Sequence, residues 1–506
     1  MTRARAFVTE GGRVTLELHA VTIYTHQQLR RESNMHRGYI FGIVALALAI
    51  VVIGNAGPLV PPPGPVAPTY QTLDEVETRT VLVPIAGQTI VIDTPGSYLL
   101  GGDLEVTEIG VDIRVTGVTL DLNGFTIRGN AFNDPGIDVG VYAGLNVGGV
   151  NDEPIVVRNG TIANFVGGGV EIADERVSVI VEDVFAERGD RGGIIVSGDA
   201  TVRRSVVEGG PTGFTGGAGI DVGGRAIIES CVVRDIVGDG ISVSAGIISD
   251  CTVEGAAGNA YSVNSGAPLD DAVLIERCSA VRSGNDGFLV NAEATLRACV
   301  ARDNNSRGFR LNASATVEGC VSDRNFVGFE ASDRASFRGC IARSNVNNGF
   351  SLGPRVTLVD CTADNNGLSG FLIGQYSTVR GCVATQNGRH GVETDQGVAI
   401  NDSVASFNQL DGFNLGFDNR ISGCVADTNG NSNSGNNAGI RGNSDCVIDG
   451  NTCTDNPIGI VGGPGALVVR NSCAGNNTDY DLSGSNAGPV SSNAVSEPSP
   501  WANFSF

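Results

Sequence analysis

The chain has no lysine: all 33 of its basic residues are arginine. Schiff-base and lysine-nucleophile chemistry are thereby excluded. Histidine is nearly as scarce, with four in 506 residues, and three of them (His19, His26, His36) precede residue 40. Only His390 lies beyond, so a multi-histidine metal site within the chain is ruled out and no metal is expected. Positive charge is short overall, leaving a formal net charge of −22. Such a surface cannot neutralise phosphates, which removes nucleic acid as a partner. It suits solubility, cations or neutral glycans better, with calcium the one cofactor that an acid-rich face allows. Aromatic residues are only 6% of the chain, so any that recur at a fixed spacing carry information.

What is abundant is glycine, 72 residues, beside a hydrophobic fraction of 41%. The chain therefore turns often and still buries a core, with no strict Gly-X-Y period to suggest collagen. From residue 285 to 430 it aligns on itself almost without gaps, in units near twenty-one residues such as NDGFLVNAEATLRACVARDNN and SRGFRLNASATVEGCVSDRNF. A Gly-aromatic step sets Phe288, Phe309, Phe329, Phe350, Phe371 and Phe413 in one column, with Val392 filling one place. Eleven residues after each come Cys299, Cys320, Cys340, Cys361, Cys382 and Cys424, with Ser403 in the same slot. Five further on lie Asn304, Asn325, Asn345, Asn366, Asn387, Asn408 and Asn429.

Within each unit apolar or small residues alternate with polar ones, the period of strands rather than helices. Short strands broken by Gly and Asn turns leave no room for crossover helices, so each coil must stack directly on the next. The fold expected is all-β, a single-stranded right-handed parallel β-helix of about 15 coils, in which length adds coils rather than domains. Fainter copies extend the first column through Val170, Ile194, Ile220, Ile241 and Tyr261 upstream and to Ile440 and Ile460 downstream.

Each column has a structural reading. The cysteines recur once per coil (Cys231, Cys251, Cys278, then Cys299 onward to Cys453 and Cys473), and free cysteine behaves as a small hydrophobe. Parallel side chains one rung apart suit a bridge dihedral badly, so the column is expected to stay unbridged. Cys446 falls off the period and is the one candidate partner for Cys453. The Asn column reads as a turn ladder, asparagine tolerating left-handed backbone and stacked amides bonding from coil to coil. Each buried Phe contributes about 1.5–3 kcal/mol. Three residues after each Cys a strand position facing solvent alternates in charge: Arg302, Asp323, Arg343, Asp364. Opposite charges stacked on a sheet hold its register; the rival reading is a binding strip for a linear glycan.

At the amino terminus, Tyr39 to Ile53 (YIFGIVALALAIVVI) is an uncharged apolar run followed by the small residues Gly54-Asn55-Ala56-Gly57. This describes a signal peptide over 35–56 with Met35 as the start and 1–34 as an upstream extension. The alternative is a signal-anchor, touching the membrane through this segment alone, whose short cytoplasmic tail carries Arg30, Arg31 and Arg37. Residues 57–80 form a Pro-rich spacer and lead-in, 81–486 the β-helix, and 487–506 a tail or cap.

The stretches GPLVPPPGPVAPTYQTLDEVETRT (57–80), PGSYLLGGDL (95–104), GVTLDLNGFTIRG (117–129) and the closing PWANFSF (500–506) resemble bacterial secreted right-handed β-helix repeat proteins of the pectin-lyase-like superfold. The resemblance spans nearly all of 57–506 and implies fold and export, not an activity. The superfold includes polysaccharide lyases, hydrolases and epimerases acting on acidic glycans. Of the polygalacturonase motifs, NTDG and RIK are missing; the nearest pieces are Asp270-Asp271, in a loop insertion, and Arg389-His390-Gly391. His390 occupies a slot that varies from coil to coil, which reads as an exposed turn. The insertions around 130–155 and 262–273 are where a cleft would lie. The function expected is an extracellular or envelope-associated scaffold or adhesive surface protein whose partner is a polysaccharide or cell-surface glycan. A polysaccharide lyase, hydrolase or epimerase is the alternative.

Overall fold

The computed structural model describes residues 79–129, 139–144, 153–187, 192–209, 217–264, 273–312, 314–431, 435–492 and 499–506, with two short strands further upstream. Those two, Arg5–Val8 and Val14–Glu17, form an antiparallel pair in a unit of their own, Met1–Val76. The expected signal segment at 35–56 lies outside the described residues. Everything below concerns the second unit, Glu77–Phe506.

Among the described residues of this unit every regular element is a strand. Most are three to five residues long with alternating burial, buried at both ends on one face of the coil, as in Phe350–Leu352, and at the centre on the other two, as in Thr357–Val359 and Thr362–Asp364. Three strands make one coil, and each pairs in parallel with its counterpart one coil on, so the molecule has three long faces. Along the first face a single ladder runs in register through Ile90, Val111, Val141, Val170, Ile194, Ile220, Ile241, Tyr261, Phe288, Phe309, Phe329, Phe350, Phe371, Val392, Phe413, Ile440, Ile460 and Tyr480. That is about 18 turns rather than the 15 expected. The extra coils lie mainly before Val170, where β-branched residues fill the core and no aromatic or amide marks the period. The strand Asn503–Ser505 pairs in parallel with Ser472–Ala474.

Three corners per coil explain the turns. In the coil that opens with Phe350 the corner residues Arg355, Asp360 and Asn365 have φ of 58°, 55° and 53°. Each is followed by a buried small or amide residue, Val356, Cys361 and Asn366. The left-handed residue is thus the one before the asparagine, not the asparagine itself as the sequence suggested. A left-handed turn swings the next side chain inward, and the Asn amide is needed there to bond across coils. The glycine before each Phe has a different cause: a β-carbon on Gly349 would sit 2.7 Å from both Asn366 Nδ2 and the Gly370 carbonyl.

Inside, the aromatic rings of Tyr261, Phe288, Phe309, Phe329, Phe350 and Phe371 stack face to face with centroids 4.6–4.8 Å apart. Phe337 meets Phe329 and Phe350 edge-on from the second face. At the asparagine corner each Oδ1 accepts the backbone N–H of the coil before, as Asn366 does from Asn345 at 3.1 Å. Amide also bonds to amide: Asn304 to Asn325, Asn345 to Asn366, Asn366 to Asn387, Asn387 to Asn408, and Asn408 to Asn429, at 2.9–3.0 Å. Between Asn325 and Asn345 the hydroxyl of Ser322 relays the bond. Past Asn429 the ladder continues through Asn456 and Asn476.

The cysteine corner works in the same way. Cys320 Sγ accepts the N–H of Cys299 at 3.4 Å, Ser403 Oγ that of Cys382 at 3.2 Å, and Asn451 Oδ1 that of Cys424 at 2.9 Å. Cysteine, serine and asparagine interchange because the site needs a small acceptor. All twelve cysteines are free and buried, and burial pushes the Cys424 thiol up to about 12. Two placements differ from the sequence reading. After Cys424 the column passes to Asn451 and Asn471, while Cys453 and Cys473 align with Ala426 on the neighbouring strand. Cys446 sits at the first corner of its coil, after the left-handed Asp445, and is not bonded to Cys453.

Candidate functional site

The alternating strip lies on the third face in the expected register, Arg302 beside Asp323, Asp323 beside Arg343, Arg343 beside Asp364. Its acids and bases are not equivalent. Asp323 is only 2% exposed, enclosed by Arg324 at 2.9 Å and by Arg302 and Arg343, each at 3.3 Å. The expectation that all four face solvent is therefore corrected. Three guanidinium groups converge on one carboxylate and cover it, leaving Arg302 and Arg343 outside. Arg343 turns to Asp323, so the strip is a three-to-one knot rather than an even alternation. Similar pairs clamp the corners: Arg324 binds Asp303 through two nitrogens at 2.7 and 2.9 Å, and Arg204 binds Asp183 likewise at 2.8 Å.

His390 is also not where a varying slot implies. It is 7% exposed, and its Nδ1 accepts the backbone N–H of Asp411 at 3.2 Å. One coil on, Asp411 Oδ1 accepts the N–H of Ala438; Asn348 does the same for Ser369 and Asp286 for Arg307. Four occupants of the slot, Asp286, Asn348, His390 and Asp411, accept an N–H of the next coil, while Arg307 and Val327 fill it without doing so. Burial pulls the His390 imidazole below its ordinary pKa, against the pull of the Asp411 and Glu393 carboxylates. An Nδ1 that accepts an N–H is unprotonated, so the ring is held neutral. Arg441 lies on Asp411 at 3.1 Å, and Glu393 takes the Ser369 hydroxyl at 2.8 Å. These groups satisfy one another and leave His390 in a bonded column.

Asp270 and Asp271 lie outside the described residues, as do 130–138 and 145–152, most of the first expected insertion. A pocket lined by Glu105, Thr107, Arg128 and Asn164 borders that insertion. Among the described residues no group of three His, Cys, Asp or Glu is placed to hold a metal ion.

The family model of the right handed β-helix region matches residues 143–290. That match supplies the hand of a winding whose parallel ladders are set out above. The chain is a right-handed parallel β-helix. Among solved structures it is similar to the A-module of the mannuronan C-5 epimerase AlgE4 of Azotobacter vinelandii, at 15% identity and a TM-score of 0.30, covering 80% of this chain and 91% of that one. It is similar also to tailspike protein 3 of bacteriophage CBA120, at 10% identity and a TM-score of 0.26, covering 82% and 59%. A third is PfbA, a surface adhesin of Streptococcus pneumoniae, at 10% identity and a TM-score of 0.12, covering 78% and 83%. Among curated proteins no sequence matches the chain.

On this β-helix the second face carries residues that the sequence reading passed over. Thr295, Thr316, Ser336, Thr357 and Thr378 stand in register on five successive coils, with Thr316 onward exposed. At the corner leading into that face two aromatic residues point outward, Tyr376 at 60% and Phe417 at 55% exposure. The signal was present in the sequence as Tyr376 in a slot held by Arg355, Gly397 and Asp418 in neighbouring coils, but only the fold shows that this slot faces solvent.

Proposed function

We propose that the protein is an extracytoplasmic β-helix that acts as a scaffold or adhesive surface and binds a linear glycan along its flank. The observation that carries this reading is the repetition of the outer surface. From Thr295 to Thr378 a threonine or serine hydroxyl recurs in one outward column on five successive coils, at a rise of about 4.8 Å. A surface that repeats in register fits a polymer that repeats. The charged groups described above are engaged with one another, as expected of a scaffold rather than of acids converging on a scissile bond. The apolar run Tyr39–Ile53 supports export.

The test is incubation of the purified protein with a panel of neutral and uronic-acid polymers, with and without calcium. Retention on a polymer without new chain ends is the expected result. New reducing or unsaturated ends would replace the scaffold by an enzyme, and failure to retain any polymer would remove the glycan.

A further inference from the structure

We propose that the second face and the corner leading into it form a stacking platform for a neutral linear glycan, with Tyr376 and Phe417 as the aromatic contacts and Thr357 and Thr378 as hydroxyl partners. This rests on the glycan-binding reading and gives it a place and a chemical class. Tyr376 has φ of 57°, a left-handed conformation that residues with a β-carbon rarely adopt. The corner accepts arginine, glycine or aspartate equally well in neighbouring coils, and the tyrosine ring is not buried there, so packing does not account for it.

The ring is nevertheless held. It lies over Gly397 one coil on, where a β-carbon would come within 2.8 Å of the ring's Cδ1. Glycine beneath lets the Cδ1–Cε1 edge of the ring rest against backbone while the residue stays exposed. Phe417 follows on the next coil, its carbonyl accepting the Gly397 N–H at 3.0 Å. The two aromatic residues thus stand on one corner two coils apart, about 10 Å along the axis, a reach that successive sugar rings can span. Between them the Gln396 amide is fixed by Asp418 at 2.7 Å.

The overall charge of the chain bears on the ligand. Arg355 is held by Asp333 through two bonds of 2.7 and 3.1 Å, and Arg297 by Glu318 at 3.1 Å. Arg338 and Arg380 are exposed on the same face, Arg380 reaching Asp402 only at 3.9 Å, but the net charge of −22 repels an anionic polymer as a whole. Sugar C–H faces stack on aromatic rings, and sugar hydroxyls pair with threonine hydroxyls and amides, both without charge.

Co-sedimentation and calorimetry of the full chain with a β-glucan, a mannan and chitin, beside alginate and pectate, test the proposal. At least one neutral polymer should bind. Tyr376→Asn, which suits the left-handed corner, should weaken binding about tenfold without lowering the melting temperature, and Phe417→Ser should act in the same direction. Tyr376→Phe keeps the ring and should bind as wild type does. Undiminished binding by the Tyr376→Asn, Phe417→Ser double variant, or binding of acidic polymers alone, would overturn the platform while leaving the glycan reading intact. If no polymer of either kind bound, both would fall.

Discussion

Coils of the middle of the rod and coils nearer its start bury the same three-strand turn with different corners. From Asn304 onward the corner holds an amide that bonds to the coils on either side. Earlier, the corresponding place after the left-handed residue is filled by Phe165, Ile236 or Ala256, all buried and apolar. The consequence is visible in coil length. Between Phe288 and Phe413 the ladder advances by 20 or 21 residues per coil, whereas Val170, Ile194, Ile220, Ile241, Tyr261 and Phe288 are unevenly spaced. An apolar corner asks only to be covered, so a loop of any length can follow it. An amide corner demands a partner at a fixed place in the next coil, and the 27-residue step from Phe413 to Ile440 keeps it, Asn429 bonding Asn456.

The sharpest way to break this contrast is to remove a ring from the middle stack. Phe350→Ala deletes two face-to-face neighbours and the edge contact with Phe337, and should cost about 4 kcal/mol, read from urea unfolding. Next comes Asn366→Ala, which leaves the N–H and amide of Asn345 without their acceptor. Its cost should be about 3 kcal/mol, with hydrogen exchange rising at Asn345 and Asn387. If Asn366→Ala proved as mild as a surface change, the amides would not be what fixes the period. A smaller effect distinguishes acceptor from filler at the cysteine corner. Cys320→Ser should be nearly neutral, while Cys320→Ala, which orphans the Cys299 N–H, should cost about 1–2 kcal/mol. Denatured but unreduced protein should titrate as almost wholly free thiol; a count of fewer than about three would mean bridging instead.

The smallest effect concerns pH. His390 has a folded pKa below its ordinary value, so the folded state binds its proton less readily than the unfolded state. Its contribution is full above about 6.5 and declines as pH falls through the folded value. His390→Asn, which supplies an acceptor as Asn348 does, should flatten melting temperature against pH in that window. An unchanged slope would show that Asp411 does not depend on His390 for its N–H bond.

The middle of the fold was legible because its columns repeat identity as well as type. Phe, Cys and Asn in one register leave little choice of period, and the period leaves little choice of fold. The first coils were missed because valine and isoleucine satisfy any apolar position and mark none. Cys453 and Cys473 misled because they repeat the letter but not the place; the corner acceptors there are Asn451 and Asn471, two residues earlier. Asp323 and His390 failed for a related reason. Charge and variability both suggest solvent, yet a carboxylate under three arginines is covered, and a slot that varies can still be buried, as at Asp286, Ser369, His390 and Asp411. Tyr376 and the threonine column were unreadable as a surface until the corners fixed which way each residue points.

The asparagine ladder also has a direction. Each amide presents its oxygen towards the start of the chain and one N–H towards the end, the other N–H going to a carbonyl of the preceding coil, as from Asn366 to Ala342 at 3.1 Å, so the amide-to-amide bonds all run one way along the rod and polarise one another. Its oxygen end is met by the Ser283 N–H at 2.9 Å. Its N–H end, at Asn476, meets the carboxylate of Asp479, also at 2.9 Å. A row of aligned amides thereby ends on a fixed negative charge, as a helix gains from an anion at its positive pole. The rod carries an electrical polarity through its core, and Asp479 is the counter-charge that terminates it.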